Sequence, residues 1–87
     1  MDTAIFTSKA KQAVADYFNN HLDVAEKFKI NPKQDVFIVW YCKTLQNSKA
    51  MLITNVSDGI YYEFTWNGDK EEGYLDAYKK FKNVVVK

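Results

Sequence analysis

The single histidine, the single cysteine and one group of carboxylates are the residues with which this sequence could perform chemistry. His21 is the one available general base, and one histidine cannot form a histidine-rich metal site. Cys42 has no second cysteine to pair with, and its apolar surroundings in sequence are typical of a small buried side chain, not of a nucleophile. The sequence therefore predicts no catalytic residue, no metal site and no cofactor.

Four carboxylates lie near one another late in the sequence, at Asp69, Glu71, Glu72 and Asp76. Grouped carboxylates can bind a hard cation or act as an acid–base pair. Here the spacing from Asp69 to Glu72 is that of a capping box, in which an acidic N-cap residue is followed three residues later by Glu. Capping and interaction with the helix dipole explain the carboxylates without a ligand, so we expect a helix to begin here.

The composition favours one small aromatic-rich domain over residues 1–87. Aromatic residues make up 16% of the chain, and each can bury roughly 150–250 Å², so a small core can form without disulfides. The net charge is +1, and all twelve basic residues are lysines. A protein that binds nucleic acid is expected to have a strongly basic face, and this composition does not predict one. The sequence shows neither a signal peptide nor a long apolar run, so we expect a cytoplasmic protein without a membrane partner.

A helix is predicted at the start of the chain, because apolar residues recur there at helical spacing on one stripe. The helix is expected to end near residues 28–30, since Asn31-Pro32 disfavours its continuation. The stripe consists of Phe6, Ala10, Ala13, Val14, Tyr17, Phe18, Leu22 and Ala25.

After this helix the periodicity changes to two, and β-branched and aromatic residues dominate. Clusters of Gly, Asn, Asp, Gln and Ser interrupt the pattern twice, as hairpin turns do. The pattern predicts three strands at residues 35–45, 49–56 and 60–66, with turns at residues 46–48 and 57–59.

A second helix is predicted behind the capping box, where Tyr74, Leu75, Tyr78 and Phe81 form another stripe. The valines at residues 84–86 favour a short final strand. The predicted fold class is therefore α+β: a three-stranded antiparallel meander with two helices on one face, in the order α-β-β-β-α, with or without a short C-terminal strand.

Two-residue turns at Asn47-Ser48 and Asp58-Gly59 would set the register of the predicted sheet. A slip of one residue in either hairpin would exchange the faces of a strand. In this register, the face under the helices is a core made of the rows Cys42/Ile53/Phe64, Trp40/Asn55/Tyr62 and Thr44/Met51/Trp66, together with Ile38 and Ile60.

The opposite face of the predicted sheet is too apolar for a surface that simply faces water. We expect either that residues 84–86 or a loop cover part of it, or that it binds a partner, since large exposed apolar patches mark interfaces. The candidate interface residues are Phe37, Val39, Tyr41, Lys43, Leu52, Val56, Tyr61 and Glu63.

Several segments of the chain have the character of a family signature. They are Val39-Trp40-Tyr41-Cys42-Lys43-Thr44-Leu45-Gln46-Asn47 with Lys49-Ala50, Asp58-Gly59-Ile60-Tyr61-Tyr62-Glu63, Asn67-Gly68-Asp69-Lys70 and Tyr74-Leu75-Asp76-Ala77-Tyr78-Lys79-Lys80. Together they resemble an uncharacterised family of small proteins from phages and prophages of low-GC Gram-positive bacteria. The resemblance implies a bacterial host cytoplasm during infection or lysogeny, and a binding protein more than an enzyme; it assigns no site.

Two functions are compatible with the apolar face. The first is a non-catalytic phage or prophage accessory protein that acts as a protein-interaction module, either as a homodimer or with a host or phage protein. The alternative is a nucleic-acid-binding protein, in which Phe37, Tyr41 and Tyr61 stack on bases and Lys43 contacts phosphate.

Overall fold

An antiparallel sheet of four strands with one helix on one face forms the protein in a computed structural model that describes residues 1–21 and 29–87. The elements are α1 (Thr3–His21), β1 (Val36–Thr44), β2 (Asn47–Thr54), β3 (Ile60–Asn67) and β4 (Glu72–Lys79). Consecutive strands are neighbours in the sheet, in the order β1-β2-β3-β4. The predicted α+β class and the antiparallel meander are therefore confirmed, whereas the predicted number of strands is wrong.

Helix α1 begins at a cap that directly precedes it. The carboxylate of Asp2 accepts a hydrogen bond of 2.9 Å from the backbone N–H of Ile5, which satisfies one of the free N–H groups of the first turn. The apolar stripe then packs on the sheet, and its members Phe6, Ala10, Val14 and Phe18 are buried. Ala15, which the prediction did not include in the stripe, is buried with them. The later part of the predicted stripe, Leu22 and Ala25, lies outside the described residues, as does residue 28, where the predicted helix end at residues 28–30 begins. Residues 29 and 30 are described and are not helical.

The side chain of Asn19 fixes the chain where it returns from the helix towards the sheet. Its Nδ2 donates to the carbonyl of Ile30 at 3.0 Å, and its Oδ1 accepts from the N–H of Ile30 at 2.9 Å. Asp35 makes the next connection, because its carboxylate accepts from the N–H of Asn31 (2.7 Å) and from the side-chain amide of Asn55 (2.8 Å). These contacts guide the chain into β1.

The core lies between α1 and strands β1, β2 and β3. Leu52 lies opposite Tyr62, and Ala50 lies opposite Phe64; all four side chains are buried. The ring of Phe6 lies 5.7 Å from that of Phe64. Full burial of a large apolar side chain stabilises a fold by roughly 1.5–3 kcal/mol, so this layer is the main source of stability.

The register of the first two hairpins differs from the predicted one. The first turn is Leu45-Gln46, with Leu45 at a φ of 56°, which leucine rarely adopts; the prediction used Asn47-Ser48 because Asn is a common turn residue. In the second hairpin Phe64 lies opposite Ala50 instead of Ile53, a shift of three residues. An odd shift exchanges the faces of a strand, so the predicted core face is wrong for β2 and for most of β1.

The predicted core residues are consequently divided between the two faces. Tyr62 and Phe64 are buried under α1, and Ile38, Ile60 and Trp66 pack against the same core. A bulge at residue 39 shifts the pairing of β1, so that Ile38 faces the core and Trp40 faces away from it. The predicted core residues that lie outside the core are Trp40, Cys42, Thr44, Met51, Ile53 and Asn55.

The predicted second helix is wrong, because residues 72–79 form β4 and no helix occurs within residues 29–87. β4 pairs with β3 over eight residues, and this ladder outweighs the local helical pattern. Asp69 does not cap a helix. Instead the side-chain oxygen of Asn67 accepts from the backbone N–H groups of Asp69 and Lys70, each at 3.1 Å, and closes the hairpin loop.

Residues 80–87 follow β4 without forming a helix or a strand. The predicted final strand at residues 84–86 is therefore not formed. Phe81, which the prediction placed on the stripe of the second helix, is 98% exposed.

The substitution Gly73→Ala tests whether residues 72–79 form a strand or the predicted helix, because the two structures predict opposite changes in stability. A Cβ at Gly73 would lie 2.6 Å from Cζ of Phe64 and 3.3 Å from Cε3 of Trp66. We expect this overpacking to lower the free energy of unfolding in urea by about 1–3 kcal/mol. In a helix the same change would raise it by about 1 kcal/mol.

Asp69→Ala is the matched control for the capping box. Loss of an N-cap carboxylate would cost a helix about 1 kcal/mol, whereas a change in this hairpin loop should stay within about 0.5 kcal/mol. A stabilised Gly73→Ala protein would contradict the strand assignment.

Candidate interaction face of the sheet

The face of the sheet that points away from α1, called the open face below, is the candidate functional site. Its side chains alternate along the strands with the buried Leu52, Tyr62 and Phe64. The open face carries Phe37, Trp40 and Cys42 of β1, Lys49, Met51 and Ile53 of β2, Tyr61, Glu63 and Thr65 of β3, and Glu72, Tyr74, Asp76 and Tyr78 of β4.

Large apolar side chains dominate the open face. Three cross-strand pairs form its apolar part: Phe37 with Ile53, Trp40 with Met51, and Tyr61 with Tyr78. The two tyrosine rings stack with centroids 5.3 Å apart and planes inclined by 20°. Phe37, Trp40, Ile53 and Tyr78 are each 41–45% exposed. A sheet face that only contacts water is normally polar, so this face is more apolar than its exposure alone would favour.

The charged residues of the open face are mainly acidic. Lys49 Nζ lies 3.2 Å from the carboxylate of Glu63, and Asp76 lies opposite Glu63 on β4. The carboxylate of Asp76 raises the pKa of Tyr78, and Glu63 adds a smaller effect in the same direction. Glu72 is the third carboxylate. One lysine against three carboxylates gives the face a formal charge of −2.

Three residues that the sequence predicted for an interface lie on the open face: Phe37, Tyr61 and Glu63. Val39 occupies the bulge of β1 and is 52% exposed. These four residues are therefore accessible to a partner.

The other four predicted interface residues do not lie on the open face. Leu52 is fully buried under α1, and Val56 follows β2 and packs against the core. Tyr41 is half-buried on the helix side of β1. Lys43, on that same side, donates from Nζ to the carbonyl of Met1 at 3.3 Å. The structure thus separates Lys43 from the exposed aromatic residues that the nucleic-acid hypothesis combined with it.

The sequence interpretation missed much of the open face. It assigned eight of these residues elsewhere: to the core Trp40, Cys42, Met51 and Ile53, and to the second helix Glu72, Tyr74, Asp76 and Tyr78. A signal for β4 does exist in the sequence, because the small residues Gly73 and Ala77 alternate with larger neighbours. Asn67-Gly68, a frequent hairpin-turn pair, directly precedes that segment.

The chemically capable residues do not form a catalytic group in the structure. His21, expected to be half-buried, is exposed, and its ring stacks on Tyr17 at 4.8 Å. Cys42, expected in the core, is exposed on the open face opposite Lys49. The four carboxylates, expected at a helix start, are divided between the loop at residues 68–71 and β4.

The described residues contain neither a metal centre nor a membrane-spanning helix. Within residues 1–21 and 29–87, no group of three His, Cys, Asp or Glu side chains is placed to hold a metal ion. No helix in the same residues has the length and apolar character that crossing a bilayer requires.

A cleft of about 420 Å³ lies between the outer side of α1 and the turn at Pro32 and Lys33. Hydroxyl, amide and ammonium groups line it, with Thr7, Ser8, Lys11 and Gln12 on the helix side. Neither His21 nor a carboxylate is among the lining residues that the structure describes.

Three buried side-chain oxygens have no hydrogen-bond partner among the described residues. They are the hydroxyls of Tyr41 and Tyr62 and one carboxylate oxygen of Asp58. Burial raises the pKa of Tyr62 to about 12, and the charge of Asp58 adds to this effect. The other oxygen of Asp58 accepts from the N–H of Ile60 at 3.0 Å, so this aspartate serves the turn before β3.

Comparison with known proteins gives one match. A family model described as a family of unknown function (DUF6275) matches residues 7–87. No curated protein and no solved structure matches the chain. The match includes all four strands, so the open face belongs to the part of the chain that the family model describes.

Tyr62→Phe is expected to change the dependence of stability on pH. Because the pKa of Tyr62 is about 12 in the folded protein and near 10 when unperturbed, ionisation of its phenol is less favourable in the folded protein than in the unfolded chain. This group therefore leaves stability constant below pH 10 and lowers it as the pH rises from 10 to 12. Urea unfolding at pH 8, 10 and 11 should therefore show a shallower decline for Tyr62→Phe than for the unmodified protein.

The same variant removes a hydroxyl that has no partner, so at pH 8 its free energy of unfolding should be unchanged or higher by about 1–2 kcal/mol. Tyr61→Phe, on the open face, is the control and should retain the full decline. Equal pH profiles for Tyr62→Phe and the unmodified protein would contradict the role of this burial.

Proposed function

The chain belongs to DUF6275, a family of unknown function, and we propose from the geometry of the open face that it is a non-catalytic interaction module that pairs with a second copy of itself. The observation that carries the proposal is the cluster of half-exposed Phe37, Trp40, Ile53 and Tyr78 on one side of the sheet. Clusters of this kind mark protein interfaces.

The size of the open face supports a pairing of modest strength. Four strands spaced about 4.8 Å apart and eight residues long give a plane of about 19 by 26 Å, or roughly 500 Å². Each partner in a stable complex buries about 800 Å² of accessible surface. The open face therefore provides a large part, but not all, of a typical interface.

A second copy is the partner that the composition of the face favours. In a two-fold dimer the same patch meets itself, so it must be self-complementary. The stacked Tyr61 and Tyr78 and the neighbouring Phe37 give each copy an apolar region to pack against the other. Lys49 and Asp76 supply both signs of charge on the same face, which allows pairing between copies.

Binding of nucleic acid is the alternative, and the open face supports it less. Its formal charge is −2, and Lys43 lies on the other side of the sheet. Single strands bind grooves that combine aromatic side chains with positive charge. A fluorescence-anisotropy titration with single- and double-stranded oligonucleotides at low salt should be flat; salt-sensitive binding that is lost in Tyr61→Ala would favour this alternative.

The setting that we propose is a bacterial cytoplasm during phage infection or lysogeny, where the protein acts as an accessory protein. This rests on the resemblance of the segments at residues 39–50, 58–63 and 74–80 to phage and prophage proteins. In a strain that carries the coding sequence, induction of prophages by DNA damage should raise the level of the protein several-fold. An unchanged level, measured by quantitative immunoblotting, would remove the proposed setting without affecting self-association.

Self-association through the open face is tested by Trp40→Lys. Sedimentation equilibrium of the unmodified protein at micromolar concentrations should give a mass approaching twice the 10.1 kDa of one chain. A buried charge in place of a central tryptophan should weaken the dimer by about 2 kcal/mol or more, roughly 30-fold in Kd. Trp40 is 41% exposed and outside the core, so the circular dichroism spectrum should not change.

Ile5→Lys is the matched control, because Ile5 is a comparably exposed apolar residue on α1, away from the open face. It should leave the dimer unchanged. A monomer mass for the unmodified protein across the micromolar range would remove the proposal, and equal weakening by the two lysine variants would remove the open face from it.

A further inference from the structure

The segment at residues 80–87 is the second large exposed apolar feature of the described structure. Phe81 is 98% exposed, and Val84, Val85 and Val86 are 63–88% exposed. Valine is among the residues with the highest preference for extended structure. Single exposed apolar residues are common, but four within six residues that also favour an extended chain have the composition of a strand that packs on an apolar surface.

The position of the segment brings it next to the apolar part of the open face. The N–H of Lys80 donates to the carbonyl of Gly59 at 2.8 Å, so the segment leaves the sheet directly after the row in which Tyr61 stacks on Tyr78. Seven extended residues reach about 23 Å, which nearly equals the length of an eight-residue strand.

The charges of the two surfaces are opposite. The segment carries Lys80, Lys82 and Lys87, whereas the open face has a formal charge of −2. Among the described residues, Asp76 and these three lysines form no ion pair. A segment with apolar and basic residues therefore matches a surface with apolar and acidic residues.

The open face of a second copy is easier for the segment to reach than its own. To lie on its own open face, the chain would have to reverse direction directly after β4. Lys80, Phe81 and Lys82 are not residues that favour tight turns. Asn83 does favour a turn, but a turn there would leave only four residues, about 13 Å of extended chain, to lie over the open face of the same copy. Across a two-fold axis the chain can continue in an extended conformation.

We propose that residues 80–87 of each copy lie across the open face of the other copy, with the valines on the aromatic cluster and Lys82 near Asp76. This arm exchange rests on the homodimer proposed above and specifies how its interface is completed. Each chain then buries the part of its open face that the other copy's segment covers, together with one side of its own eight-residue segment.

The test is a charge exchange between two full-length variants, Lys82→Glu and Asp76→Lys. Each variant alone places like charges together in its own homodimer, so Kd from sedimentation should rise roughly 2- to 30-fold at low ionic strength, counting two exposed pairs per dimer. An equimolar mixture should regain the Kd of the unmodified protein, because each segment then meets an opposite charge on the other copy. Lys33→Glu, at an exposed lysine in the turn before β1, is the control and should change nothing.

The outcomes separate this inference from the proposed homodimer. If both variants weaken the dimer but the mixture does not recover, the segment contacts its own chain or the effect is non-specific, and arm exchange is overturned. If neither variant weakens a dimer that the unmodified protein forms, arm exchange is overturned while the dimer remains. A monomeric unmodified protein would overturn both proposals.

Discussion

A mismatch in width between one helix and the sheet beneath it determines the rest of this structure. A helix with its side chains is about 10–12 Å wide, whereas four strands span about 19 Å. α1 packs on β1, β2 and β3, and its stripe meets the side chains of Leu52, Tyr62 and Phe64. The core is concentrated at this contact. Trp40 and Tyr78 lie on the opposite face, for which the described residues offer no second layer, and they stay at the surface.

Local periodicity was enough to predict the elements that contribute most to this contact. The stripe of α1, strand β3 with its inward Tyr62 and Phe64, and the presence of a loop before β3 could all be recognised from residue type and spacing, although the loop spans residues 55–59 and not the two-residue turn Asp58-Gly59. The face assignment of β1 and β2 could not, because it depends on the number of residues in each hairpin. The first turn places Leu45 at a positive φ, which no rule of turn composition would favour.

The prediction of a helix where β4 lies has a different cause from the error in hairpin register. It explains why the sequence identified only part of the open face. Residues 69–81 satisfy a helical pattern and a strand pattern equally well, and only the ladder with β3 decides between them. That ladder depends on a partner far away in sequence, so local reasoning chose the helix and removed Tyr74 and Tyr78 from the sheet. Phe37, Tyr61 and Glu63 were identified because their strands were correctly recognised and their parity happened to survive the change in register.

Because of the bulge at Val39, the fold depends on the number of residues in β1 as much as on their types. Before this residue the inward side chains follow one parity, and after it they follow the other, which is why Ile38 and Trp40 belong to opposite sides. Deletion of one residue here would leave the hydrophobicity of the strand almost unchanged. It would nevertheless exchange the two faces of half of the strand, so that either the indole of Trp40 would enter the core or Val36 would be exposed to water. Evolution can therefore exchange residues in this strand more readily than it can add or remove one.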